Sequence, residues 1–154
     1  MLKSLIEFFE NSTRETAGHT SSGADSRVEL AAAVLMIEIS LADSSIDDHE
    51  LAVIKQALVD RYHIGEEQVD ELIDLARREV DHAVSLHEFT RMLNDNLDAP
   101  EKIQVIELLW QVAFADAVLD KYEEYYIRKI ADLLYISHKD YIKTKHRVAD
   151  QDNS

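Results

Sequence analysis

EISLADSSIDDHELAVIK, residues 38–55, and QVAFADAVLDKYEEYYIR, residues 111–128, are two versions of one pattern. A shift of 73 residues lays Ala42 on Ala115, Asp43 on Asp116, Ile46 on Leu119, Asp47 on Asp120, Glu50 on Glu123 and Ile54 on Ile127. Each copy reads A-D-x-x-[I/L]-D-x-x-E, with an apolar run before it and a helix-periodic segment after it. One copy would say little in a chain with 31 Asp and Glu. Two copies, each joining the same two kinds of segment, point to an internal duplication.

Outward from both copies the periodicity is helical. Residues 26–42 are apolar nearly all round (Val28, Leu30, Val34, Leu35, Ile37, Leu41), as a central buried helix should be. Residues 100–115 form a second such rod, with Ile103, Val105, Ile106, Leu109, Trp110 and Phe114, and Trp110 is expected in its buried face. Asp98, Ala99 and Pro100 announce its start, with Pro near the first helical position. Around the rods we expect a helix at 47–62, with Leu51, Ile54 and Leu58 on one face, and another opening at Gly65, with Val69, Leu72, Ile73 and Ala76. A Ser85–Glu88 capping box precedes Leu86, Phe89, Met92 and Leu93. Helices at 120–134 and from Ser137 to about Val148 complete the chain. No segment alternates with period two. The reading is all-α: a compact bundle of about seven helices with an internal pseudo-two-fold duplication.

A short N-terminal amphipathic helix is expected from Leu2, Leu5, Ile6 and Phe9, packing onto the domain. Residues 11–24 are small and polar and read as a flexible linker. The expected divisions are therefore 1–24 for helix and linker, 25–148 for the helical domain, opening on Asp25 as N-cap, and 149–154 for a disordered tail.

Composition limits the rest. A length of 154 residues suits one domain, and 46% hydrophobic residues suffice for its core. Only 3 Gly and 1 Pro argue against an all-β fold built on tight turns. Zero Cys excludes a disulfide scaffold, a thiolate zinc site and a cysteine nucleophile. No apolar run reaches the length of a membrane span, and LKSLIEFFE lacks the basic start and cleavage site of a signal peptide, so the cytoplasm is the expected location. Sixteen Lys and Arg against 31 acids leave a net charge of −15. That balance opposes nucleic-acid binding and favours cations, basic partners or plain solubility. Residues 137–154 depart from it, with Lys139, Lys143, Lys145 and Arg147 against Asp140, Asp150 and Asp152.

The candidate site is the pair of acidic junctions. Asp47 and Glu50, like Asp120 and Glu123, fall in the first turn of a helix, where the macrodipole favours negative charge by about 0.3–1 kcal/mol. A helix-start role alone accounts for such residues. Asp43 and Asp116 fall at the C-terminal end of an apolar helix, where the dipole disfavours a carboxylate. A turn acceptor is one explanation for them. A cation is the other, since three carboxylates converging at one turn repel unless neutralised. Carboxylates without thiolates suit Ca²⁺, Mg²⁺ or Mn²⁺. No HxxxH or HExxH pair supports Zn²⁺, although His49 and His82 or His87 could join by tertiary proximity. A standard EF-hand fails: Asp43, Ser45 and Asp47 take its first, third and fifth positions, but Asp48 stands at the obligatory glycine and Ile54 at the bidentate Glu.

These two junctions, in a small acidic duplicated helical domain, resemble the tellurite-resistance TerB family. Similar domains occur at the start of membrane-anchored DnaJ-like co-chaperones. The resemblance covers roughly residues 25–148. It implies a bundle of about seven helices, acidic surfaces proposed to bind divalent metal, and a role with protein partners in stress-response complexes near the membrane, hence a location peripheral to it. Onto this sequence it carries only Asp43, Asp47, Glu50, Asp116, Asp120 and Glu123. No redox-active residue suggests chemistry on tellurite.

Paired carboxylates can serve acid–base chemistry or hold a metal-activated water. The chain lacks a glycine-rich phosphate loop and a nucleophile with its base, so a non-enzymatic role is expected. Two readings stay open. One is a metal-binding scaffold. The other is a metal-independent protein–protein adaptor whose surface would be Tyr122, Tyr125, Tyr126, Tyr135 and Tyr141 beside the basic last helix, although tyrosines at helical spacing also edge a core.

Overall fold

The all-round apolar segment at 26–42 becomes a helix whose middle, from Leu30 to Ser40, is buried on every side. A computed structural model describes residues 23–42, 47–62, 64–78, 82–115 and 121–152. In it helix α1 spans Gly23–Ala42, and every residue from Leu30 to Ser40 is buried. Ala31, Ala32 and Ala33, fully covered, keep this rod thin enough for neighbours on every side. Helices α2 (Asp48–Tyr62), α3 (Glu66–Arg77), α4 (His82–Asn96), α5 (Ala99–Ala115) and α6 (Lys121–Leu133) all pack against α1, and α7 (His138–Asp152) lies against α5 and α6. Seven helices and no strand are present among the described residues, so the all-α expectation holds.

The second rod, α5, packs on α1 and α7, and Trp110 is fully buried there, stacked on Phe114 with ring centroids 5.6 Å apart. The amphipathic helices turn in the faces expected of them: Leu51, Ile54 and Leu58 from α2, then Val69, Leu72 and Ala76 from α3. Buried hydroxyls are satisfied within their own helices. Ser40 Oγ donates to the Met36 carbonyl at 2.8 Å, and Thr90 Oγ1 to that of Leu86 at 3.0 Å.

Helix boundaries depart from expectation at three places. α1 begins at Gly23, so Asp25 is its third residue and not its N-cap. α4 begins at His82, which puts Ser85 and Glu88 inside the helix and removes the expected capping box. A reciprocal box forms instead at the start of α5: Asp98 N–H donates to Glu101 Oε1 at 3.0 Å, and Glu101 N–H donates to Asp98 Oδ1 at 2.9 Å. α7 runs on to Asp152, past the end expected near Val148. The expected N-terminal helix and most of the linker lie outside the described residues.

Polar contacts join the layers. Tyr62, at the end of α2, donates its hydroxyl to the Leu108 carbonyl of α5. Burial holds its phenol well above the usual pKa of 10.0. Lys55 of α2 reaches Asp70 at 2.7 Å and Glu66 at 3.2 Å on α3, and the hydrogen bond to Asp70 raises its pKa. The basic side chains of α7 are partly spent inside the domain: Lys145 pairs with Glu124 at 2.7 Å and stands 5.5 Å from the Trp110 ring centroid, while Arg147 pairs with Glu107. No described helix is long and apolar enough to cross a membrane.

Candidate functional site

Each acidic motif begins on the last residue of a buried helix, Ala42 for α1 and Ala115 for α5. The following helices open at Asp48 and Lys121, so Glu50 and Glu123 are each the third residue of their helix. Asp43, Asp116 and Asp120 lie outside the described residues. Glu123 is described only as part of the α6 backbone. Asp47 and Glu50 are placed, and both are exposed.

Asp47 is the N-cap of α2. Its Oδ1 accepts the Glu50 backbone N–H at 2.7 Å, and its carbonyl accepts that of Leu51 at 3.0 Å. The helix-start role is therefore real for this residue, and it occupies one carboxylate oxygen. A carboxylate that caps through one oxygen still has a second with which to ligate an ion. Next to it, Asp48 Oδ1 stands 3.6 Å from Arg77 Nη2 at the end of α3, an exposed pair of little energetic weight. Among the described residues, no three His, Asp or Glu side chains gather closely enough to hold a metal ion.

Of the histidines considered as extra ligands, the His82 side chain lies outside the described residues. His49 is exposed in the first turn of α2, and His87 lines a separate hollow on α4. One acid escaped the sequence reading. Glu38 is only 2% exposed on α1, one turn before Ala42. Its signal was visible, because it is the one charged residue between Leu30 and Ala42, and at the 73-residue shift it falls on Gln111.

Among the described residues, hollows open at two places away from Asp47 and Glu50. One, of about 200 Å³, lies between α1 and α5 and is bordered by Glu29, Gln104, Glu107 and Gln111. The other, of about 390 Å³, lies between α4 and the corner joining α6 to α7. The Tyr122 side chain lies outside the described residues, and the other tyrosines of the expected adaptor surface divide rather than forming one face. Tyr141 is buried, and that burial raises its phenol pKa. Tyr126 is half-buried, edge-to-face with Tyr125 at 5.6 Å, whereas Tyr125 and Tyr135 are 62% and 83% exposed.

The family model described as Tellurite resistance protein TerB matches residues 29–146, a span that contains both acidic junctions and most of every described helix. The chain belongs to the TerB family. No curated protein and no solved structure matches it in the corresponding comparisons. The TerB match starts at the seventh of the twenty residues of α1 and ends within α7, close to the 25–148 expected from the resemblance.

Proposed function

We propose that this TerB domain is a non-enzymatic scaffold that binds a hard divalent cation at its acidic junctions, through Asp43, Asp47 and Glu50 and through Asp116, Asp120 and Glu123, and that it serves protein complexes of a stress response of the tellurite-resistance type. The observation that carries the reading is the repetition. Both motifs start on the final residue of a buried helix, and both put their Glu at the third residue of the next helix. A helix start needs one capping acid, as Asp47 supplies for α2. A second carboxylate directly after the last residue of the preceding helix in the sequence, twice over, exceeds that need, and a bound cation gives it a purpose. The all-oxygen donor set favours Ca²⁺, Mg²⁺ or Mn²⁺ over Zn²⁺. The proposed setting is the cytoplasm, with partners that include proteins peripheral to the membrane.

A metal-independent adaptor is the second reading, and the exposure of Tyr125 and Tyr135 favours it. Thermal melts in EDTA and then in each of Ca²⁺, Mg²⁺, Mn²⁺ and Zn²⁺ separate the two. The scaffold reading expects a higher melting temperature with one or more of the hard ions. An adaptor without metal expects the same melting temperature throughout. A pull-down from cells under metal or tellurite stress identifies the partner in either case.

A further inference from the structure

The hollow between α4 and the α6–α7 corner combines three features. Tyr135 is the first. It holds φ at 61°, the left-handed region that favours glycine, in the turn that ends α6. Its N–H bonds the Asp132 carbonyl at 3.0 Å, and the Ile136 N–H bonds that of Ala131 at 3.0 Å, the pattern of a Schellman cap. The residue in this strained place is a large aromatic that leaves 83% of its surface in water, with Lys102 Nζ 6.0 Å from its ring centroid. The second is Asn94, whose Nδ2 donates to the Leu133 carbonyl at 2.9 Å. That bond fixes the amide, and leaves Oδ1 closed off from solvent without a donor. The third is Arg91. It is exposed one turn from His87 and has no ion pair among the described residues, in a chain with 31 acids.

We propose that this groove holds an extended segment of a partner protein, with an acidic side chain paired to Arg91, a backbone N–H donated to Asn94 Oδ1 as the lips part, and the Tyr135 ring lying over the chain. The lips, His87, Arg91, Asp132 and Tyr135, are all exposed, so the groove is too open to bury most of a small molecule. A polypeptide passing through needs only one face covered, and its amides supply the donor that Asn94 lacks. Arg91 offers the fork that pairs with a carboxylate through two bonds. Asp132, on the opposite lip, repels a second acid and so directs the acidic side chain toward α4. None of the six junction acids takes part, so this site stands or falls apart from metal binding.

The test uses the full chain, labelled with ¹⁵N and titrated in EDTA with acetyl-Gly-Asp-Gly-amide, with acetyl-Gly-Lys-Gly-amide and with N-acetylaspartate. The acidic peptide is expected to shift the Asn94 side-chain amide and the backbone signals of Thr90 and Tyr135, and to do so equally with Mg²⁺ present. Arg91→Gln, an exposed change, is expected to weaken that binding about tenfold or more. Tyr135→Gly is expected to weaken binding and yet raise the melting temperature, a combination that a structural tyrosine would not give. Absence of these shifts, equal binding of the Lys peptide, or unchanged binding in Arg91→Gln overturns the proposal. So does a lower melting temperature for Tyr135→Gly. N-acetylaspartate binding as well as the peptide would mean a small-anion site and overturns it too.

Discussion

Asp47 caps α2 by accepting the Glu50 backbone N–H through Oδ1 at 2.7 Å, so one oxygen of the first acidic junction is in structural use. The same residue is asked to do two jobs, and two substitutions separate them. Asp47→Ala removes the cap and should cost about 0.5–2 kcal/mol in metal-free urea unfolding. Asp47→Asn keeps the capping oxygen and should fall within a few tenths of a kcal/mol of the wild type, while lowering divalent-ion affinity. Equal losses from Ala and Asn would mean that the charge, not the hydrogen bond, holds the start of α2.

The start of α3 lacks what α2 has. Gly65 sits at its N-cap with φ −63° and ψ 147°, makes no side-chain capping bond, and a Cβ added there meets nothing within 4 Å. Gly65→Ser fits that backbone, supplies an acceptor and restricts the unfolded chain. A gain of about 0.5–1 kcal/mol is expected from chemical denaturation. A loss would show that this N-cap depends on glycine for a reason the open space around it does not reveal.

Tyr62 should make the protein sensitive to alkali. Its phenol is raised well above 10.0 by burial, and only the protonated form can donate to the Leu108 carbonyl. A raised folded-state pKa contributes stability that is complete below about pH 10 and is lost as the unfolded chain ionises above it, by up to about 1.4 kcal/mol per pH unit. Tyr62→Phe should cost about 0.5–1.5 kcal/mol at neutral pH through the lost hydrogen bond. It should also have the shallower stability profile between about pH 10 and 12. Parallel profiles would place Tyr62 in contact with water in the folded state.

Trp110 is the largest fully buried side chain, and its fluorescence reports the α1–α5–α7 core directly. Its native emission should be blue-shifted relative to the urea-unfolded chain. Trp110→Ala should cost about 3–5 kcal/mol, since it opens a cavity beside the stacked Phe114 and the nearby Tyr141. A native emission like that of the unfolded protein would contradict this packing.

The helices were legible because their cause is local and repeated. Val34, Leu35 and Ile37 on α1, or Leu109 and Trp110 on α5, announce a rod buried all round, and Leu51, Ile54 and Leu58 announce one buried face. Boundaries were less legible, because an S-x-x-E or D-x-x-E spacing arises by chance in an acidic chain. Ser85 and Glu88 have that spacing inside a helix, while Asp98 and Glu101 have it at a true start and are joined by two hydrogen bonds. The groove at Tyr135 was invisible for a different reason. Its elements come from α4 and the α6–α7 corner, and no sequence pattern marks a tyrosine that takes φ 61°. Glu38 could have been noticed as a charge in an apolar run, yet only the bundle shows that every side of its helix is covered.

Whether the acidic junctions hold a cation is decided by the melting temperatures of wild type, Asp43→Asn and Asp116→Asn, each in EDTA and in excess Ca²⁺, Mg²⁺ or Mn²⁺. If the junction carboxylates converge, removing one of them relieves repulsion in the metal-free protein, so both variants should match or exceed the wild type. With metal, the wild type should gain RT ln(1 + [L]/Kd), about 2.7 kcal/mol at a hundredfold excess over Kd, and each variant should gain less. Asn replaces Asp nearly isosterically and caps as well, so a purely structural role predicts three proteins that respond alike. Identical shifts on metal addition in all three would contradict the metal-site account.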